Sequence, residues 1–462
     1  MKRLMPGGAT ATGRTRQGTG GHRTAEWTAA LLGIAAIAQP VAAATGPPIT
    51  RGGSVQSVSW DEYVRQLMVE GKLESAKAVL NARLSRHPKD VQARFLKGMI
   101  AVAAKDNREA IRVFRSILID HPDAARVRLE LARAFYLAKD YGNAKRQFQF
   151  ALAGNLPREV AANINTYLAA IRDAKSLSYN FGIALAPDTN LNTGSSAREV
   201  TLFGLPFDLS EDARQRSGVG IAIEAGAEWA PRIGTGKRLR LGISGQRREY
   251  SGSNFDDMTA AAYVGPRWVS GKWDLSLLGT AYKRWYGTRP NNQAAGGRLE
   301  ATYYLTPRLG ISSALAAQWV RFSRARERDG RLISFNATAF RAMTSSSAIT
   351  LKVGVGRQQA RITPYANWNG FVAAGYFRDL PKGFSVYVEP SLSLARYDAA
   401  LLGFGKRRSD NSQSVLITLL NRHVVLGRFT PRISYTFTRQ SSTIPLYAFS
   451  RSRLEIGFTT VF

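Results

Sequence analysis

The chain has 462 residues, 64 Lys+Arg against 33 Asp+Glu, a formal net charge of +31, four histidines and no cysteine. Hydrophobic residues at 44% and aromatics at 10% exclude wholesale disorder. The absence of cysteine excludes disulfides, thiolate metal sites, thiol nucleophiles and a cysteine-borne lipid anchor.

A charge of this size ordinarily prompts a nucleic-acid reading, and the N-terminus argues against it. Lys2, Arg3, Arg14, Arg16 and Arg23 precede an almost uncharged, mostly apolar run from Trp27 to Ala38. Pro40 and the small residues Val41, Ala42, Ala43 and Ala44 follow. A basic region, a short apolar run and small residues predict a secretory signal peptide over 1–44. The run falls short of the ~20 apolar residues that a membrane-spanning helix needs. Residues 45–56 read as a flexible lead-in. A secreted chain does not meet the chromosome, so no nucleic-acid partner is expected.

Residues 57–176 are helical in pattern and repeat every 34 residues. His87-Pro88 returns as His121-Pro122. Ala76, Ala110 and Ala144 keep the same spacing, as do Leu80, Phe114 and Phe148, and Gly98 matches Ala132. Small, aromatic, alanine and proline positions at this period predict an all-α tetratricopeptide (TPR) solenoid. Its small residues let antiparallel helices approach, and each proline starts a new unit. Such arrays bind peptides in a groove. The expected partner-binding residues are Arg65, Met68, Phe95, Met99, Arg126, Arg133 and Tyr136.

From Leu177 the period changes to two. Val219, Ile221, Ile223, Ala225, Ala227 and Trp229 alternate with Gly220, Ala222, Glu224, Gly226 and Glu228. Leu239, Leu241 and Ile243 alternate with Arg238, Arg240 and Gly242. Fourteen such runs are predicted, near 177–187, 215–229, 237–249, 258–269, 272–285, 294–304, 308–322, 331–342, 347–358, 367–379, 383–396, 412–420, 428–439 and 449–462. An apolar face toward lipid and a polar face toward a wet lumen, on long strands in even number, predict a 14-stranded antiparallel transmembrane β-barrel over 177–462. Lipid leaves no open edge unpaired, so the sheet must close. Alternate connections, including 188–214, 286–293, 323–330 and 397–411, are expected to be long polar loops. A terminal Phe462 fits the signal read by the outer-membrane insertion machinery. The fold class is therefore an α + β membrane protein, with a periplasmic TPR region before an outer-membrane barrel.

No enzyme, cofactor or metal site is expected. His22, His87, His121 and His423 are scattered, and His423, alone in the barrel, falls in an expected turn. The strand glycines Gly182, Gly220, Gly226 and Gly242 form no phosphate loop. The polar barrel face gives a candidate client path: Glu224, Glu228, Arg238 and Arg240, with Asp188 and Asn190 in a loop-forming Pro-Asp-Thr-Asn segment.

The domain order, the strand count and the segment Ala186-Pro187-Asp188-Thr189-Asn190-Leu191-Asn192 together resemble the surface lipoprotein assembly modulator (Slam) family. Residues 200–207 (VTLFGLPF) resemble it too. The resemblance implies an outer-membrane translocator. Its clients would be surface lipoproteins or secreted haem- or metal-acquisition proteins, with outer-membrane lipids, the insertion machinery and periplasmic chaperones as further partners. Two alternatives stand beside it: a TPR-barrel exopolysaccharide export porin, and a general porin with an accessory domain.

Overall fold

The computed structural model describes residues 58–460 except 175, 212, 425, 427 and 428. The expected signal peptide, the lead-in and Phe462 lie outside the described residues. Seven helices come first: α1 (Trp60–Val69), α2 (Leu73–Arg86), α3 (Val91–Ala103), α4 (Asn107–Asp120), α5 (Ala125–Leu137), α6 (Tyr141–Ala153) and α7 (Arg158–Ala174). The chain forms two compact units, dividing between Leu96 and Lys97 inside α3.

The 34-residue period carries the helical packing. Ala76, Ala110, Ala144, Phe114, Phe148 and Ala132 are fully buried, and Leu80 is nearly so. Gly98 is needed for close approach: a Cβ there would sit 2.4 Å from the Phe114 ring. The helix starts repeat as well. Asp106 caps α4 by accepting from the Glu109 N–H, and Asp140 caps α6 by accepting from the Asn143 N–H. Just before, Gly71, Lys105 and Lys139 recur 34 apart in the left-handed region at φ 74, 62 and 60°. Glycine adopts that conformation freely, whereas each lysine carries a cost of about 1 kcal/mol.

The strands are β1 (Leu177–Asp188), β2 (Glu199–Leu202), β3 (Leu205–Asp208), β4 (Gly218–Trp229), β5 (Arg232–Gly234), β6 (Lys237–Tyr250), β7 (Asp257–Ser270), β8 (Trp273–Tyr286), β9 (Arg289–Thr306), β10 (Leu309–Phe322), β11 (Gly330–Thr344), β12 (Ser347–Gln358), β13 (Asn367–Asp379), β14 (Phe384–Leu401), β15 (Lys406–Asn421), β16 (Thr430–Ser442) and β17 (Phe449–Thr459). Strands β1, β4 and β6–β17 form a closed ring of fourteen. Each pairs antiparallel with its neighbours, and β1 joins β17 to complete the circuit. Each of the fourteen expected runs is one of these strands. The outward row is apolar and exposed, with Val219, Ile221, Ile243, Leu277, Leu299 and Val353 among its members.

The expected long loops need correction. Between β8 and β9 only Gly287 and Thr288 remain outside the strands, and between β14 and β15 only residues 402–405. The strands run on as paired hairpins beyond the apolar band. Backbone pairing needs no apolar side chains, so polar composition there was no mark of a loop. The connection after β1 is long. It carries the β2–β3 hairpin and lies along the far ends of β14–β17, with Phe203 N–H bonded to Gly403 O and Ser195 Oγ to Pro445 O.

Candidate functional site

The lumen-facing charges neutralise one another across the strands. Arg240 bridges Glu228 at 2.7 Å and Glu300 at 2.6 Å, and donates to Ser276 Oγ. Tyr263 donates to Glu228, and Arg298 pairs with Glu300. Higher in the lumen, Arg432 joins Glu224 to Glu455. Arg238 is buried, and its guanidinium donates to Ala230 O at 2.5 Å. Period-two alternation placed these side chains on one face; the register of β4, β6, β7, β8 and β9 brings them into contact.

Asp188 and Asn190 occupy a different place. The Asp188 carboxylate is 0% exposed and receives Arg451 through two nitrogens, at 2.6 and 2.9 Å, and Arg453 at 2.9 Å. Asn190 is fully buried and donates to Gly194 O and Ser450 O. Together they clamp β1 to β17 where the barrel closes. Below the clamp, the described register of this seam runs only from Gly182↔Thr459 to Leu185↔Ile456. The β1–β4 seam on the other side is paired from Leu177 to Asp188.

The expected groove residues divide between the two compact units. In the first, Arg65 pairs with Asp61 at 3.0 Å, Met68 is half-buried and Phe95 is buried. In the second, Met99 is half-buried and Arg126 is exposed. Arg133 pairs with Glu130, which raises its guanidinium pKa against the opposing effect of burial. The Tyr136 ring meets the rings of Tyr141 and Tyr167 edge-on.

Sequence reasoning missed the junction inside the second unit, where helices α4–α7 meet one end of the barrel. Arg128 on α5 is buried and pairs with Asp379, at the end of β13, at 3.0 Å. Asp123 accepts from Ser346 Oγ, and its carbonyl accepts from Ser345 Oγ, in the β11–β12 turn. Lys145 donates to Tyr304 and Arg172 to Gly271 O. Phe150 on α6 enters the barrel mouth, packing on Ala342, Ala348, Phe340 and Phe377. Burial lowers the pKa of the Arg128, Arg146 and Arg422 guanidiniums, opposed in each by Asp379. One sequence signal existed. Arg128 interrupts a helix face otherwise built from Val127, Leu131 and Phe135, and a charge among such residues requires a partner.

The family profile described as "Surface lipoprotein assembly modifier" matches residues 178–462, and tetratricopeptide-repeat profiles match 64–118 and 99–158. The chain belongs to the surface lipoprotein assembly modifier family. It is an outer-membrane β-barrel with an N-terminal TPR region. A family member from Neisseria meningitidis serogroup B, "Surface lipoprotein assembly modifier 1", is 24% identical over 406 residues, covering 86% of this chain and 81% of its own. The Pasteurella multocida "Surface lipoprotein assembly modifier" is 22% identical over 396 residues, covering 79% and 76%. Among solved structures, the outer membrane channel DcaP of Acinetobacter baumannii aligns at 8% identity and TM-score 0.36, over 62% of this chain and 97% of its own.

Proposed function

We propose that the protein is an outer-membrane translocator that delivers client lipoproteins from the periplasm to the cell surface. The observation that carries this reading is the junction, where helices α4–α7 dock on the mouth of a closed barrel whose lumen is lined with paired charges. In this reading residues 1–44 are a secretory leader, 57–176 a periplasmic recruiting domain and 177–462 the membrane barrel. Arg65, Met68, Phe95, Met99, Arg126, Arg133 and Tyr136 contact the client from their respective helices. The periplasm offers no ATP, so the protein works by binding and guidance rather than by a reaction of its own. The client then passes along the row of Glu224, Glu228, Arg238 and Arg240, or along the β1–β17 seam that Asp188 and Asn190 clamp.

Secreted haem- or metal-acquisition proteins are a second client class, and periplasmic chaperones supply either class unfolded. At the far rim Lys283 and Arg321 face outward, both in register with Gln293. There they meet the phosphates of outer-leaflet lipids.

Labelling of intact cells tests this reading. Deleting the gene is expected to remove the client lipoprotein from the surface while its total amount stays constant. Unchanged display rejects the proposal. Loss of exopolysaccharide in the same strain would point to the polymer-export alternative, and steady large conductance with normal display to a porin.

A further inference from the structure

Between the helices and the barrel mouth lies a partly open cavity of about 50 Å³, lined by Arg115, Arg128, Arg146, Arg422, Asp379 and Thr430 together with Gln147, Ser385 and apolar side chains. That volume holds a few waters or one small ion. Four guanidiniums share this lining with a single carboxylate. Asp379 is already engaged by Arg128 at 3.0 Å, by Arg422 at 3.3 Å and by the Ser385 hydroxyl at 2.6 Å.

Arg128, Arg146 and Arg422 are not satisfied by that one acid. Arg128 gives its terminal nitrogens to Asp379, Pro122 O and Gln147 Oε1, and its buried Nε has no acceptor among the described residues. Arg422 Nε lies near Asp379 but lacks hydrogen-bond geometry. Arg146 stacks on Phe377 at 4.8 Å and Phe150 at 5.8 Å, and no carboxylate among the described residues pairs with it. Thr430, 0% exposed, has no partner for its hydroxyl among the described residues and lines the same cavity.

An excess of like charge around the buried Arg128–Asp379 pair is costly, and guanidinium forks match tetrahedral oxyanions with several acceptor oxygens. We propose that this cavity binds one small oxyanion of the phosphate or sulfate class, held by Arg146, the Nε edge of Arg128 and the Thr430 hydroxyl. The anion completes the charge balance where helices and barrel meet. It makes the docking of the helices on the barrel mouth responsive to a soluble ligand. A cavity of about 50 Å³ is too small for a polypeptide segment, so the ligand is a free ion.

The test uses the purified full chain in detergent, titrated with inorganic phosphate against chloride at matched ionic strength. Limited proteolysis between α7 and β1 is the readout. Phosphate is expected to slow cleavage saturably, by about tenfold at saturation. Arg146→Gln is expected to abolish the saturable response, and Thr430→Val to shift its midpoint several-fold upward. Arg158→Gln, on the exposed start of α7, is expected to respond like the parent chain. Acetate in place of phosphate distinguishes a carboxylate site. Protection by acetate alone overturns the assignment, as does the absence of saturable protection by phosphate. An unaltered response in both Arg146→Gln and Thr430→Val also overturns it.

Discussion

Asp379→Ala is expected to loosen the helices from the barrel while leaving the barrel folded. The substitution strands Arg128, whose side chain is 2% exposed, beside Arg422 with no counter-charge. Breaking a buried pair by removing one partner costs roughly 3–5 kcal/mol. The lost energy falls on the junction, because Asp379 is the last residue of β13 and the rest of that strand's ladder, from Asn367 to Arg378, does not use its side chain. Limited proteolysis is expected to release a helical fragment about a hundredfold faster or more, with the heat-modifiable mobility of the barrel unchanged. Arg128→Met with Asp379→Leu is expected to recover part of the loss, since an apolar pair of similar volume removes the stranded charge. Recovery stays incomplete because Arg422 and Ser385 also use Asp379. Equal protease resistance of Asp379→Ala and the parent chain would show that the junction does not depend on this pair.

The second large effect is expected at the closure of the barrel. Asp188→Ala removes a fully buried carboxylate that holds both Arg451 and Arg453. The β1–β17 seam then keeps its short register near Ile183 and Leu185 and loses the clamp above it. A cost of about 3 kcal/mol concentrated there predicts local opening rather than global unfolding. Hydrogen exchange at the Ile183, Leu185 and Ile456 amides is expected to quicken about a hundredfold. Amides of the long β9–β10 ladder should hold their rates. Uniform quickening across the barrel would place the clamp's contribution in the whole sheet instead.

These two carboxylates mark where sequence reading stopped. Periodicity is local, so the 34-residue repeat and the alternation of apolar and polar residues made helices, strands, faces and ring closure legible. The repeat even identified the buried positions, from Ala76 and Ala110 to Phe114 and Phe148. Strand ends were less legible, because 397–401 and 406–411 pair as polar hairpin beyond the apolar band. Contacts between distant segments left no periodic trace. Asp188 lies 263 residues from Arg451 and Arg128 lies 251 from Asp379, and neither pair has a local signature. Turn chemistry accounted for the Pro-Asp-Thr-Asn segment as far as its bend. The burial of Asp188 and Asn190 against β17 depends on the barrel having closed.

The charge of +31 also acquires an address. Part of it lies in lumen networks with acids, part at the far rim, and part in the arginines gathered where helices meet barrel.

Client transfer by the purified protein is the most direct test of the central proposal. The full chain is reconstituted into lipid vesicles with its helices outside, and an unfolded lipoprotein client is added externally. The protein is expected to carry the client to the vesicle interior, where added protease no longer reaches it, and to do so without ATP. Asp379→Ala should alter the yield. Equal protection of the client in vesicles lacking the protein would contradict the account.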